Sequence, residues 1–392
     1  MSPLRIALLT YSTKPRGSVV HTLELAIALH NLGHEVCVYA LDKDGKGFGR
    51  SLPCPVELIP AQPAPADMDQ LIHQRIQEFM DGLRPSDRFH DIYHAQDCLS
   101  ANAITELRTR EPDRFASSKL VRTVHHVETY TSPYLRACQD RSIREADQCL
   151  CVSHHWQEQL KIHYGIHAPR VTNGIDTKRF TTVPSGQEAT LKERIGITSD
   201  ASALTFLTVG GIEPRKNSIQ LLRAFADVLT IKPNAQLVIA GGATLFDYTP
   251  YRDQFFNEAK NLGVSIGTSL LLPGVLSDKE LPVLYRTADA FVFPSIKEGW
   301  GMVILEAIAS GLPIVTSNIE PFTEYLTSDQ ALLVDPHQPR AIAQAMLRST
   351  DPGIAQSLVA ASQTVCTTYT WERSAKIHIE HYHTLLEMMI DA

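Results

Sequence analysis

Short apolar runs alternate with longer helical segments from residue 5 onward, and the alternation starts afresh at residue 204. The first series predicts strands at Arg5–Thr10, Glu35–Leu41, Ile92–His94, Leu120–Val124 and Gln148–Val152. Between the first two, Thr22–Leu32 is nearly all apolar and stops at Gly33, a buried helix with a glycine stop. The second series predicts strands at Leu204–Val209, Gln236–Ala240, Ser269–Leu272, Ala290–Phe293 and Pro313–Thr316. Its helix Asn217–Leu229 puts Leu221, Leu222, Phe225 and Val228 on one face. Strands separated by helices make parallel sheets, so the chain is α/β. At 392 residues, 44% hydrophobic and 20% charged, it exceeds one ordinary core and predicts two Rossmann-like domains, residues 1–175 and 176–374. The stretch of low periodicity at 176–202, with Pro184-Ser-Gly186, is the expected linker, and Pro60–Ala66 a surface loop. Two such halves facing one another would leave a cleft at their strand carboxyl edges, the usual ligand position in open parallel sheets.

Composition narrows the partners. A net charge of −7 without a basic domain argues against nucleic acid. No apolar run approaches the roughly 20 residues that span a bilayer, and the N-terminus reads as a first strand. Seven cysteines without a Cys-x-x-Cys pair suggest reduced thiols and a cytoplasmic protein. The cluster Arg108, Arg110, Arg114, Lys119 and Arg122 is interrupted by Glu111, Pro112 and Asp113. It reads as a solvated face, and at most as a weak peripheral contact with the inner face of a membrane. His378, His381 and His383 share a helix face without a carboxylate or cysteine companion, which points to a surface helix rather than a metal site.

Chemistry concentrates in Ser295-Ile-Lys-Glu-Gly-Trp-Gly-Met-Val-Ile-Leu-Glu-Ala, where Glu298 and Glu306 have seven residues between them. The run follows a buried strand and passes through a glycine-containing loop into an apolar helix. A helix N-terminus offers free N–H groups and a positive dipole end to a phosphate. At 1.5 Å per helical residue the two carboxylates stand about 12 Å apart or less. That suits a ligand with a hydroxylated ring at each end and a diphosphate between, the shape of a nucleotide sugar. Earlier, Val209-Gly210-Gly211-Ile-Glu-Pro-Arg215-Lys216-Asn217 leaves the second series' first strand and opens its first helix, placing two cations where they can neutralise a diphosphate.

With Pro294-Ser295 before it and Gly311-Leu-Pro313 after it, the acidic run resembles the Glu-x7-Glu signature of the retaining glycosyltransferases of family 4, which have a GT-B fold. The resemblance implies that Glu298 binds donor-sugar hydroxyls, that Glu306 binds the nucleotide ribose, and that Gly299, Trp300 and Gly301 line the donor. The loop at 209–217 is similar to the family's Gly-Arg-Leu-x-x-x-Lys-Gly, with Lys216 on the family lysine and Gly211 where the family has arginine. Arg215 is the candidate replacement, with Gly210 and Gly211 in the same donor loop. Gly17-Ser18 resembles the glycine pair of the family's first loop. Thr123-Val-His125-His126 resembles Thr-x-His-Asp, which puts His125 near the donor sugar and replaces the acid by His126. Asn173-Gly-Ile-Asp176 with Phe180 is similar to the interdomain segment. Ala288-Asp289 and Trp371-Glu372 also follow the pattern, and the final helix, 375–392, is expected to return to the first domain. Asp42-Lys-Asp44 looks like the metal-binding Asp-x-Asp of the other glycosyltransferase fold but lies too early. Base recognition in such folds often uses backbone near Leu272-Pro-Gly274-Val275.

The expected activity is therefore retaining transfer of a sugar from a UDP-, GDP- or ADP-linked donor to a hydroxyl acceptor (lipid, metabolite or glycan), with no metal and no cofactor beyond the co-substrate. His125, Lys216 and Glu298 are the expected catalytic residues. A dinucleotide oxidoreductase is disfavoured, since the first turn has only Gly17 and no Gly-x-Gly-x-x-Gly, although Asp42 sits where a ribose-binding acid would. The same motifs would also suit nucleotide-sugar epimerisation, or a non-catalytic nucleotide-sugar-binding sensor or scaffold. Acceptor-dependent turnover separates these from a transferase.

Overall fold

The computed structural model describes residues 2–84, 88–242 and 248–387. The chain divides into two compact units, Met1–Gly174 with Trp371–Ala392, and Ile175–Thr370. Each is built on one six-stranded parallel sheet.

The first sheet contains β1 (Arg5–Thr10), β2 (Glu35–Asp42), β3 (Val56–Pro60), β4 (Ile92–Ala95), β5 (Lys119–Val124) and β6 (Gln148–Cys151), in the order β3-β2-β1-β4-β5-β6. The second contains β7 (Thr205–Val209), β8 (Gln236–Ala240), β9 (Leu270–Gly274), β10 (Ala290–Phe293), β11 (Ile314–Ser317) and β12 (Leu332–Val334), in the order β12-β11-β10-β7-β8-β9. In both, the first strand of the unit is central and the order reverses beside it. The reversal lies between β1 and β4 in one sheet and between β7 and β10 in the other. Loops leaving a sheet on either side of such a point diverge and open a crevice for ligand.

Near-continuous apolar strands are what a sheet covered on both faces requires. Phe206, Leu237, Ile239, Ala290 and Val292 pack with Leu221, Leu222, Phe225 and Val228 of the helix Ser218–Ile231, all buried. Each large side chain contributes about 1.5–3 kcal/mol by leaving water. In the first unit Leu9, Tyr39, Tyr93 and Ala95 pack with Phe79, Ile104 and Leu107.

Two strands escape the sequence pattern, β3 and β12. Both are edge strands. β3 exposes Glu57 and Leu58 and buries only Ile59 well, and β12 has three residues, so neither shows a clear apolar period. The first helix runs from Gly17 to Asn31 and so starts before Thr22. The expected linker contains a folded helix, Glu188–Ile195, capped by Gly196 and held by an Arg286–Glu188 ion pair at 2.8 Å. Only Leu191 of that helix is buried, which is why no stripe announces it.

The final helix is Trp371–Glu387; residues 388–392 of the expected 375–392 lie outside the described residues. It belongs to the first unit and packs on the first helix. Of its three histidines, one departs from the expected surface position. His378 is fully buried, because Ser374, His378 and Tyr382 form the inward face of the helix. The arginines read as a solvated face are ion-paired in three cases, Arg108 with Asp147, Arg110 with Glu106 and Arg114 with Glu111, and Arg122 is buried. Among the described residues no helix is long and apolar enough to cross a membrane.

Candidate functional site

The loops after β7 and β10 leave their sheet on either side of its switch point and are tied together there. The Ile296 N–H donates to Arg215 O at 2.9 Å. Asn217 donates its side-chain amide to Pro294 O at 3.1 Å and to Pro336 O at 2.6 Å. Asn217 adopts φ 60, a conformation that asparagine tolerates better than most residues. Its bridging role is not legible in the sequence, where an asparagine before a helix reads as an ordinary cap.

On this frame Lys216 Nζ lies 2.6 Å and Arg215 Nη1 3.0 Å from the same oxygen, Glu298 Oε1. Ser295 Oγ stands 2.8 Å from that oxygen, and Arg215 Nε reaches Glu213 Oε2 at 2.9 Å. The Lys216 and Glu298 side chains are 13% and 9% exposed, so the pair meets in a poorly screened environment. Burial alone would push the Glu298 carboxyl up, but Lys216 and Arg215 together hold it below the usual range. Burial is also the larger influence on Lys216 and draws its pKa down, against the opposing pull of Glu298.

Lys216 also lies over Phe293, 4.4 Å from the ring centroid, and packs on Gly210, where an added Cβ would meet its Cε at 3.1 Å. The carboxylate of Glu306, on the helix Met302–Ala309, is buried and accepts the Tyr285 hydroxyl at 2.7 Å. Gly299 sits in the loop, and Gly301 caps the helix at φ 92 with Phe322 where a Cβ would go, 2.8 Å away.

Trp300 has a different place from the one expected. Its indole is buried, stacked on Tyr325 at 4.7 Å and edge-on to Tyr369 at 5.3 Å. It anchors the loop from beneath rather than presenting a ring to a ligand.

Gly211 explains its own departure from the family pattern. A Cβ there would come within 2.5 Å of Gly242 O, a backbone atom, and 2.9 Å of Glu213 Oε1. The close approach of the two loops admits only glycine. Restoring arginine at this position is therefore expected to lower the melting temperature by roughly 5 °C, as overpacking of about 1–3 kcal/mol would. It is also expected to reduce turnover. A Gly211→Arg protein with unchanged melting and faster turnover would contradict this packing constraint.

Gly17 and His125 belong to the first unit. Gly17 opens the first helix. His125 follows β5, half-buried, and its Nε2 donates to Gln96 Oε1 at 3.0 Å. Burial, reinforced by His21 and Arg122, depresses its pKa well below the ordinary value, so the ring is neutral and its Nδ1 is an acceptor. Gln96, which holds the His125 ring, is not singled out by the sequence; it follows β4, beside the first sheet's switch point.

A family model described as Glycosyltransferase Family 4 matches residues 15–179, and one described as Glycosyl transferases group 1 matches residues 192–352. An uncharacterized glycosyltransferase of Methanocaldococcus jannaschii is 27% identical over 98% of this chain and 100% of its own length. A D-inositol 3-phosphate glycosyltransferase of Kribbella flavida is 26% identical over 98% of this chain and 96% of its own. Among solved structures, the sucrose-phosphate synthase from Thermosynechococcus elongatus matches with TM-score 0.78 at 20% identity, covering 98% of this chain and 100% of that one. Anabaena HepE, solved in complex with UDP-glucose, matches with TM-score 0.77 at 18% identity over 97% and 100%. The fold is thus GT-B. One family model on each unit, and relatives matching along nearly the whole length, support a glycosyltransferase of the family 4 type.

Proposed function

We propose that the protein is a retaining, metal-independent glycosyltransferase that moves a sugar from a nucleotide-diphosphate donor to a hydroxyl acceptor. The observation that carries this reading is the meeting of Lys216 and Arg215 on Glu298 at the β7/β10 switch point. Two cations and one carboxylate, poorly screened, match a diphosphate next to a hydroxylated sugar. HepE, a structural neighbour, is described in complex with UDP-glucose, which supports a nucleotide-sugar donor.

In this mechanism the bond from the anomeric carbon to the diphosphate oxygen breaks, and the acceptor oxygen bonds to that carbon from the same face. The acceptor's proton leaves with the diphosphate. Lys216 and Arg215 stabilise the charge growing on the leaving group, which is the largest electrostatic demand. Glu298 turns from the cations to the sugar hydroxyls as the donor enters. Glu306 takes the ribose, and the crevice by Ile212, Gly242, Leu272 and Gly274 takes the base. In the first unit, the neutral His125 offers a hydrogen-bond acceptor at Nδ1.

Because Glu298 occupies both cations before the donor arrives, Glu298→Gln has a split outcome. It is expected to tighten binding of the free nucleoside diphosphate about tenfold, since the cations lose a competing charge. Turnover is expected to fall by about a hundredfold, as a sugar contact strengthened in the transition state is lost. Purified protein would be incubated with UDP-, GDP- and ADP-sugars and an acceptor extract in EDTA, with nucleotide release and product mass read together. Donor binding without acceptor-dependent product would favour a sensor, and EDTA-sensitive turnover would remove metal independence.

A further inference from the structure

The carboxyl edge of the first unit's sheet holds a second group of cations that the donor chemistry leaves unused. Tyr11 directly follows β1. Arg16 Nη1 lies 3.3 Å from its hydroxyl, and the Arg16 guanidinium carbon is 6.0 Å from its ring centroid. Lys43 directly follows β2 and brings Nζ to 5.0 Å from the same centroid. Two positive charges thus share one aromatic ring. The Lys43 backbone is held from below, because the buried Asp42 carboxylate accepts the amides of Asp44, Gly45 and Gly47 at 3.4, 3.1 and 3.1 Å.

Lys14 pairs with Asp44, Arg50 with Glu24, and Arg75 with Glu78. Among the described residues Lys43 has neither a carboxylate nor a hydrogen-bond partner, and its contact is the face of Tyr11. The charged groups around it are Arg16, which caps the first helix, Arg75 and Glu78 on the helix Met68–Leu83, and Asp97 after β4. Burial, then Arg16 and Arg75, draws its pKa down to about 8, against the pull of Asp97 and Glu78. A half-buried ammonium facing a guanidinium gains from any anion that enters. The place is also right: Tyr11 and Asp97 follow the two strands, β1 and β4, between which the strand order reverses.

We propose that Lys43 and Arg16, over Tyr11, form an anion subsite that takes a phosphate monoester. Two cations match a dianion better than a carboxylate, and the guanidinium fork with a point-charge ammonium suits a tetrahedral oxyanion. The assignment of this phosphate to the acceptor rests on the proposed transfer; the subsite itself does not. A soluble phosphorylated metabolite and a lipid headgroup offer the same chemistry.

The test is calorimetric titration of the full chain carrying Arg215→Gln and Lys216→Gln, which silences the diphosphate cations, with glucose 6-phosphate. One binding event is expected, absent with glucose. Adding Lys43→Gln should weaken it at least tenfold, while Lys43→Arg retains it. At pH 8 binding should take up on the order of half a proton, because the anion restores the proton that Lys43 has partly lost. Heats compared in buffers of different ionisation enthalpy read that uptake, and the Lys43→Arg protein should not show it. Retention on phosphatidic acid vesicles that is lost with Lys43→Gln would assign the phosphate to a lipid. Soluble binding without vesicle retention would assign it to a metabolite. An affinity indifferent to Lys43→Gln, or binding without proton uptake, overturns the subsite. If the unmodified protein glycosylates neutral acceptors only and glucose 6-phosphate does not bind, the subsite falls and the transferase reading stands. Lys43-dependent binding without turnover of any donor has the opposite meaning.

Discussion

Alanine at Lys216 is expected to lower kcat/KM about a thousandfold, the largest loss from any single substitution at the site. Removing one preorganised donor from a water-poor site costs roughly a hundred- to a thousandfold in rate. Lys216 adds a full charge, 13% exposed, to that geometry. The loss has a second component. Of the two cations that meet Glu298, Arg215 would remain, and it already shares itself with Glu213. Burial would then raise the Glu298 carboxyl, and the acid limb of the pH–rate profile should move upward. Lys216→Arg should not rescue, since the side chain packs on Gly210 and holds a compact ammonium over the Phe293 ring, a placement that a planar fork does not reproduce. Steady-state kinetics with the identified donor, paired with thermal melts, separate chemistry from folding. A loss below tenfold in a well-folded Lys216→Ala protein would remove Lys216 from the leaving-group role.

The second large effect is on stability, and it falls on one unit. Of sixteen histidines only His337 lies within Ile175–Thr370, and it is exposed. In the first unit His21, His94 and His378 are buried together, with Trp371 and Tyr382 among their ring neighbours. His21 Nδ1 is 2.6 Å from Asn173 Oδ1, and His94 Nδ1 2.6 Å from the Tyr382 hydroxyl. Burial lowers His21 and, beside Tyr39, His90 to about 4, and His378 to about 3. His94 shifts in the same direction.

A neutral histidine in the folded state and an ordinary one in the unfolded state make the unfolded state bind more protons below pH 6.5. Stability is therefore complete above pH 6.5 and is lost as pH falls toward 4. His21, His90 and His378 each cost on the order of 3 kcal/mol across that window. Hydrogen exchange at pH 7.5 and 5 should show a marked fall in opening free energy for first-unit amides and little change for second-unit ones. Equal behaviour of the two units would refute the assignment. Replacing His378 by phenylalanine should flatten the first unit's response.

That cluster also marks where sequence reasoning stops. His378, His381 and His383 read as a surface helix because no carboxylate or cysteine accompanies them on that face. Which face turned inward was decided by the first unit, whose His21, His94 and Asn173 are remote in sequence. Trp300 was similarly ambiguous: in a glycine-rich loop it reads as a ligand contact, yet Tyr325 and Tyr369 draw it into the core. Lys43 was hidden inside an Asp-x-Asp decoy. Only the shared Tyr11 ring gives that lysine a meaning distinct from its neighbours.

Local patterning was enough for the alternation of strands and helices, the central strands, and the acidic and basic runs that carry the candidate chemistry. These follow from periodicity and short-range spacing, which are properties of adjacent residues. The two edge strands, the helix within the supposed linker, and the partners of each charge emerged only once the chain was folded. Glu298 meets Lys216 and Arg215 across more than eighty residues because the strand order reverses between β7 and β10. The glycine at 211 follows from the same packing, since no local pattern anticipates that Gly242 O stands where a Cβ would be.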